Sequence, residues 1–122
     1  MSNNQSINGP ISWIEIVQSG QLYNGSDPEL VSKRLAVKQV LANYNRQPSK
    51  GHMKSVLNLF FKTGVQCLIE PGFHCDYGQS IELGNQVYIN ANCTFLDGGK
   101  ISIGDQVLVG PGCQILSVTH PK

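Results

Sequence analysis

The chain has 122 residues, a length that fits one domain with a buried core of its own. Its 9 Lys and Arg residues nearly balance its 8 Asp and Glu residues, and no basic run is long enough to bind nucleic acid electrostatically. No apolar stretch approaches a membrane span, and the N-terminus lacks the basic-then-apolar order of a signal peptide. Composition therefore predicts a cytoplasmic protein that binds neither nucleic acid nor membrane.

The first half of the chain has the apolar period of helices. In "PISWIEIVQSG", isoleucine and valine recur at three-residue steps before a glycine, which predicts a short helix. In "NGSDPELVSKRLAVKQVLANYN", a cap at Ser26 or Asp27 precedes an apolar stripe that includes Leu35 and Leu41. The segment "HMKSVLNLFFKTG" supplies a third amphipathic stretch. We therefore expect two or three helices in residues 1–62.

A different period governs the second half. Aligned on glycines twenty residues apart, the chain reads "GVQCLIEPGFHC", "GNQVYINANCTF" and "GDQVLVGPGCQI". Apolar residues recur at six-residue steps, as at Leu83, Ile89 and Phe95, and this hexapeptide repeat is typical of a parallel β-helix. Ordinary hairpins are the alternative, but they do not explain three aligned blocks of one period. We expect a mainly β fold, with about three coils in residues 63–122 packed with the helical segment as one domain.

The chain has four cysteines, and no two of them have the CxxC spacing, so the cysteines do not predict a zinc site. Without a secretory signal, disulfides are not expected either, and small buried side chains are the simplest interpretation. These cysteines are Cys67, Cys75, Cys93 and Cys113.

Several motifs together carry a resemblance to a known family. With "GQLYNGSDPELVSKRL" in the helical half and "CDYG", "ANCTFLD" and "THP" in the repeats, the chain resembles the maltose and galactoside O-acetyltransferases of the hexapeptide-repeat family. The resemblance runs from about Ile14 to the last residue. It implies a left-handed β-helix, a homotrimer, acetyl-coenzyme A as co-substrate, and transfer of the acetyl group to a hydroxyl of a sugar or similar small acceptor.

The resemblance assigns the catalytic base. The histidine of "THP" is His120, which matches the general base that takes the proton from the acceptor hydroxyl as this hydroxyl attacks the thioester. An imidazole suits the task because its ordinary pKa is near 6.5, so the neutral form is plentiful near neutral pH. The alternative is a solvated histidine near a chain end.

Four further residues match positions that contact the acceptor in the family. Asp76 and Asn90 match polar groups on the acceptor, Tyr88 matches an aromatic wall of the acceptor site, and Arg34 matches an arginine that closes over it. The alternatives are a turn for Asp76, an asparagine ladder for Asn90, core packing for Tyr88 and a solvated helix face for Arg34. The resemblance therefore predicts one acceptor site from these four side chains and His120.

The chain departs from the family pattern at two positions. A carboxylate of the galactoside-type enzymes falls at Gly98, so Asp97 does not simply inherit its role, and another acidic position falls at Gly25. The acceptor is accordingly left open. Relatives continue for several coils beyond "THP", and most of the acetyl-coenzyme A groove is implied to lie there. We therefore expect a C-terminally truncated enzyme, with a catalytically incomplete β-helical oligomerisation or binding module as the alternative.

A third hypothesis for the function is a metal-dependent carbonic anhydrase, a class of enzyme with the same type of coil. That family needs three histidines around zinc and uses a close pair of them. The chain offers only His52, His74 and His120, without such a pair, so no metal site is expected.

Overall fold

The computed structural model describes residues 27–117. The first predicted helix and His120 lie outside the described residues. Helix α1 (Pro28–Arg46) begins where the Asp27 carboxylate accepts a hydrogen bond of 2.9 Å from the Glu29 N–H, with proline at its first position. Helix α2 (Lys50–Leu57) begins at a Ser49 cap. The start of α1 confirms Asp27 as one of the two predicted caps, whereas the Ser49 cap of α2 was not predicted.

Two details of the helices differ from the prediction. Leu35 is 61% exposed, and the buried face of α1 instead comprises Leu30, Val37, Leu41 and Tyr44. Helix α2 ends earlier than its apolar pattern suggests, because the Phe61 N–H donates to the Ile81 carbonyl at 3.0 Å and so joins the first coil.

Nine short strands follow within the described part of the chain. They are β1 (Lys62–Thr63), β2 (Leu68–Ile69), β3 (His74–Cys75), β4 (Ile81–Leu83), β5 (Tyr88–Ile89), β6 (Thr94–Leu96), β7 (Ile101–Ile103), β8 (Leu108–Val109) and β9 (Gln114–Leu116).

The strands form three parallel sheets, which are the faces of a β-helix. Face 1 contains β1, β4 and β7, face 2 contains β2, β5 and β8, and face 3 contains β3, β6 and β9. Each residue pairs with the one twenty positions later, as Leu68 does with Tyr88 and Tyr88 with Leu108. The twenty-residue repeat is thus confirmed as one turn of a left-handed parallel β-helix.

The core consists of stacked interior columns that the first helix covers at one end. Phe73 and Phe95 are fully buried, with ring centroids 5.2 Å apart, and Phe60 stacks edge-on against Phe73 at 5.9 Å. The hydroxyl of Tyr44 on α1 donates to the Ile69 carbonyl, which joins the helix to the first coil. Helices and coils therefore share a single hydrophobic core.

Two corners of the coil have opposite characters. The repeating corner (residues 64–66, 84–86 and 104–106) joins face 1 to face 2 and has the same backbone shape in each coil. A Cβ added at Gly64 would lie 2.4 Å from the Gly84 carbonyl oxygen, so close stacking excludes larger residues there. The irregular corner (residues 76–80 and 97–100) joins face 3 to face 1. When its two rungs are aligned at a spacing of twenty residues, the only position with the same residue type in both is Gly78 and Gly98.

Candidate functional site

A buried carboxylate organises the irregular corner. Asp97 is fully buried; its Oδ1 accepts hydrogen bonds from the N–H groups of Asp76 (2.9 Å) and Tyr77 (3.0 Å), and its Oδ2 accepts one from Gly78 (2.7 Å). Burial raises the pKa of Asp97, and the backbone N–H groups oppose that shift. One side chain thus fixes three successive backbone groups of the turn above it.

The turn itself requires glycine. Gly78 has φ +77°, a left-handed conformation, and a Cβ there would lie 2.9 Å from the Leu59 carbonyl oxygen. The "CDYG" motif therefore encodes a tight turn whose last residue cannot carry a side chain.

Arg34 on α1 contacts this turn directly. Its Nη1 donates to the Tyr77 hydroxyl at 2.8 Å, and its guanidinium carbon lies 5.8 Å from the centre of the Tyr77 ring. Because Tyr77 is buried and its backbone is held by Asp97, the guanidinium is anchored on a rigid corner. The contacts with Tyr77 contradict the alternative interpretation, in which Arg34 is a solvated residue on the helix surface without a partner in the coil.

Asp76 lies beside that positive charge. Burial raises the pKa of the Asp76 carboxyl, and the charges of Arg34 and Lys38 partly counteract the rise. The Asp76 backbone N–H is already used by Asp97, so the turn is fixed and the Asp76 carboxylate is not what holds it. A half-buried carboxylate under the electrostatic influence of two cations can accept a hydrogen bond from a hydroxyl.

A groove of about 570 Å³ runs between α1 and the coils next to Asp76. Its apolar lining includes Leu41, Ala42 and Leu96, and its polar lining includes Lys38, His74 and Asp76. The size and the mixture of apolar and polar groups are typical of a pocket for a small organic molecule.

Tyr88 and Asn90 lie on another part of the coil. The Tyr88 hydroxyl donates to Glu70 Oε2 at 2.9 Å, and this hydrogen bond is the main cause that raises the pKa of Tyr88. The Asn90 side-chain oxygen accepts a hydrogen bond of 2.7 Å from the Ala91 N–H, where face 2 turns into face 3. Tyr88 is only partly buried on the outside of face 2, so it is not a core residue.

The predicted acceptor residues therefore form two groups in one chain. Arg34 contacts Tyr77 at the irregular corner that carries Asp76, whereas Tyr88 and Asn90 lie on and just after β5, across the width of face 3. A single copy of the described chain does not assemble all four into one cluster. His120, the predicted base, lies outside the described residues.

Sequence reasoning missed the role of Asp97. It stands twenty residues after Tyr77, so the repeat places it in the rung directly adjacent to the "CDYG" turn. The twenty-residue spacing between Tyr77 and Asp97 could have predicted that the two residues are neighbours. It could not predict the hydrogen bonds, because they depend on the backbone conformation of the turn.

Residues 27–117 were also compared with the requirements of a metal site and of a membrane span. The described residues contain no group of three or more metal-ligating side chains. None of the helices in that range combines the length and apolar character needed to cross a membrane.

The chain is similar in sequence to known proteins. A family model described as the maltose acetyltransferase hexapeptide capping motif matches residues 17–59. Nodulation protein L of Rhizobium meliloti (strain 1021) is 38% identical over 112 residues, which cover 88% of this chain and 60% of that protein.

Two solved structures have the same architecture. The maltose O-acetyltransferase from Clostridium difficile 630 superposes with a TM-score of 0.80 at 33% identity, covering 91% of this chain and 61% of that one. A hexapeptide-repeat acetyltransferase of Vibrio cholerae O1 biovar eltor, solved complexed with acetyl coenzyme A, superposes with a TM-score of 0.78 at 30% identity, covering 85% and 57%. The chain thus spans somewhat more than half the length of these relatives.

Proposed function

Because the chain belongs to the hexapeptide-repeat sugar O-acetyltransferase family, we propose that it transfers an acetyl group from acetyl-coenzyme A to a hydroxyl of a sugar or similar small acceptor. The observation that carries this proposal is the Arg34–Asp76 corner, built on a coil that superposes on an acetyltransferase solved with acetyl coenzyme A. The names of the relatives support a sugar acceptor as the first class to test.

The reaction is a direct transfer with His120 as base. The acceptor hydroxyl oxygen attacks the carbonyl carbon of the thioester, the C–S bond breaks, and coenzyme A leaves as the thiol. His120 takes the hydroxyl proton and returns it to the leaving sulfur, so that no net proton is lost. This role rests on the match to the "THP" motif.

Asp76 and Arg34 hold the acceptor in this proposal. The Asp76 carboxylate accepts a hydrogen bond from a second acceptor hydroxyl, and Arg34, anchored by the Tyr77 hydroxyl, donates to an acceptor oxygen. Holding the acceptor in one orientation lowers the barrier because the attacking oxygen no longer searches for the thioester.

The four predicted acceptor residues do not form one cluster in a single chain, which supports an acceptor site built from two chains of a homo-oligomer. The resemblance implies that this homo-oligomer is a trimer. Leu68 and Leu108, 50% and 78% exposed, flank Tyr88 on the outside of face 2 and leave an apolar column for a partner to cover. We place this column against the irregular corner of a neighbouring copy, where Tyr88 and Asn90 complete the acceptor site.

A cytoplasmic location is part of the proposal. All four cysteines are free, which fits a reducing compartment such as the cytoplasm.

The test measures release of the coenzyme A thiol across a panel of sugars with the wild type, His120→Ala and the matched control His52→Ala. The expected result is release with at least one sugar, lowered about 10²–10⁴-fold by His120→Ala and unchanged by the substitution of His52 on α2. No release with any sugar, or equal rates in wild type and His120→Ala, contradicts the proposal. Calorimetry with coenzyme A then separates a chain that binds the cofactor without reaction from one that does not bind it.

A further inference from the structure

One face of α1 forms a wall of the groove beside Asp76. Arg34, Lys38, Ala42 and Asn45 follow one another at steps of three or four residues, so they lie on the same face of the helix. The last three of them line the groove. Because an α-helix rises about 1.5 Å per residue, this face extends about 16 Å from Arg34 to Asn45. The groove therefore has a near end beside Arg34 and a far end at Asn45.

Asn45 fastens the far end of the groove to the coil. Its Oδ1 accepts a hydrogen bond of 2.8 Å from the Gly72 N–H, and its Nδ2 donates to the Phe73 carbonyl at 3.1 Å. These two backbone groups lead directly into β3, which forms the opposite wall and carries His74. Because one planar amide bonds two successive backbone groups, it fixes both the separation of the two walls and their relative rotation.

The near end is fastened separately, by the hydrogen bond of 2.8 Å from Arg34 to the Tyr77 hydroxyl. Between these two ends, Ala42 contributes only a methyl group to the wall of α1. The groove of about 570 Å³ is thus a space between two walls that are joined at both of its ends. Its width depends on those joints, because the short side chains between them do not fill it.

The neighbouring residue Tyr44 also joins α1 to the coil, but in a different place. Its hydroxyl donates to the Ile69 carbonyl, its ring is 4% exposed within the core, and it is not part of the groove lining. Removal of this hydroxyl leaves the packing of the ring in place. Tyr44 and Asn45 therefore offer two adjacent hydrogen-bonding side chains, of which only Asn45 lies in the groove.

We propose that Asn45 is a positioning residue for the acceptor, because its two hydrogen bonds set the width of the groove and so hold Lys38 at a fixed distance from Asp76. This inference rests on the proposed function, in which Asp76 binds an acceptor hydroxyl. Lys38 is close enough for its charge to influence the Asp76 carboxyl, so the two walls already act on each other. A bound sugar that contacts both walls loses contacts with one of them when the groove widens.

The experiment titrates the ¹⁵N-labelled 122-residue chain with maltose and with methyl β-galactoside, and follows the backbone amide signals. We expect saturable shifts at residues 38, 42, 74 and 76 with at least one of the two sugars. Asn45→Ala should raise the dissociation constant about threefold to tenfold, since the sugar no longer meets two walls at the correct separation. The matched control Tyr44→Phe, which removes the adjacent hydrogen bond to the coil, should bind as the wild type does.

Three outcomes of this titration overturn the proposal. They are an absence of shifts at residues 38, 42, 74 and 76 in the wild type, equal affinity in wild type and Asn45→Ala, and an equal loss of affinity in Asn45→Ala and Tyr44→Phe. The last outcome would mean that any loosening of α1 weakens binding, and that Asn45 has no specific role.

A second variant and a second measurement cover the case in which Asn45→Ala does not fold. Asn45→Asp keeps the shape of the side chain and an oxygen for the Gly72 N–H, but it cannot donate to the Phe73 carbonyl. Residual dipolar couplings of the α1 amides measure the orientation of the helix relative to the coils. We expect these couplings to change in Asn45→Asp and to stay the same in Tyr44→Phe. Unchanged couplings in Asn45→Asp would overturn the proposal without any use of a sugar.

Coenzyme A release, measured at a low concentration of the same sugar, separates this proposal from the proposed transfer. Sugar binding that depends on Asn45 without any release supports the positioning role and contradicts the transfer. Release at the same rate in wild type and Asn45→Ala supports the transfer and overturns the positioning role.

Discussion

The two corners of the coil are built on different principles. At the repeating corner, Gln66, Gln86 and Gln106 all have left-handed φ angles of 56–60°. Their side-chain amides form a ladder with 3.0 Å hydrogen bonds, and Asn85 and Asp105 cap the backbone of the preceding coil. Each rung supports the next with the same contacts.

At the irregular corner the rungs differ. Asp97 holds the turn at residues 76–78, and Arg34 reaches that turn from a separate helix. A ladder needs identical rungs, whereas one buried carboxylate can hold a corner whose side chains vary. Of the residues proposed to bind the acceptor, Asp76 lies where the repeat is broken and Arg34 contacts the same corner, and the predictions below test the difference between the two corners.

The largest expected effect is at Asp97. Asp97→Ala leaves three backbone N–H groups without their acceptor, and we expect it to lower the free energy of unfolding by about 3–5 kcal/mol. Urea unfolding followed by circular dichroism measures the change. The matched control is Asp105→Ala, which removes an exposed carboxylate that accepts one N–H at the repeating corner and should cost about 1 kcal/mol or less. Equal losses in the two variants would refute the claimed difference between the corners.

A smaller effect is expected at Tyr77. Tyr77→Phe keeps the ring but removes the hydroxyl that accepts from Arg34, and we expect it to lower the free energy of unfolding by about 1 kcal/mol. Tyr88→Phe is the matched control and should leave the unfolding midpoint unchanged, because the Tyr88 hydroxyl bonds Glu70 on the outer surface. A larger loss in Tyr88→Phe than in Tyr77→Phe would mean that face 2, and not the irregular corner, is the more tightly held.

The charge balance at Asp76 gives a pH-dependent prediction. Its folded-state pKa is raised, so the folded chain binds the proton more tightly than the unfolded chain does. This contribution favours folding at acid pH and is lost as the pH rises through the folded pKa. Arg34→Gln removes the largest opposing charge, so the pKa of Asp76 should rise further and the pH window of this loss should widen.

Carbon-detected NMR titration of the Asp76 carboxyl measures this pKa in wild type, Arg34→Gln and Lys38→Gln. We expect Arg34→Gln to raise it more than Lys38→Gln, since Arg34 is the stronger of the two influences. An unchanged or lowered pKa in Arg34→Gln would show that the guanidinium does not act on Asp76.

The smallest effect is expected in the glutamine ladder. Gln86→Ala removes two exposed amide hydrogen bonds while keeping the same left-handed backbone demand, and the free energy of unfolding should fall by about 0.5 kcal/mol. Thermal and urea unfolding measure the change. If Gln86→Ala lowered the free energy of unfolding as much as Asp97→Ala does, the repeating corner would depend on a single side chain just as the irregular corner does. That result would contradict the proposed difference between the two corners.

The fold could be predicted from the sequence because stacking repeats itself. Residues twenty positions apart, such as Leu68, Tyr88 and Leu108, lie over one another in successive coils, and the repeat length predicts this stacking. The irregular corner could be predicted only in part. Arg34 and Tyr77 lie 43 residues apart on different kinds of element, and no period links a helix face to a coil turn.

The predicted acceptor site illustrates the same limit. The resemblance predicted Arg34, Asp76, Tyr88 and Asn90 as acceptor residues, but it did not predict the faces on which they lie. Their distribution over two parts of the coil follows from where each strand falls within a turn, which requires the folded geometry.

Mixing two defective chains tests most directly the central claim that the acceptor site is shared between copies. Arg34→Ala and Asn90→Ala chains are unfolded and refolded together, and coenzyme A release is measured with a sugar that the wild type acetylates. If each site combines the irregular corner of one copy with face 2 of its neighbour, two nearly inactive parents should yield about a quarter of wild-type activity, since random assembly restores that share of interfaces. Activity of the mixture no greater than the mean of the separate parents would contradict the shared site.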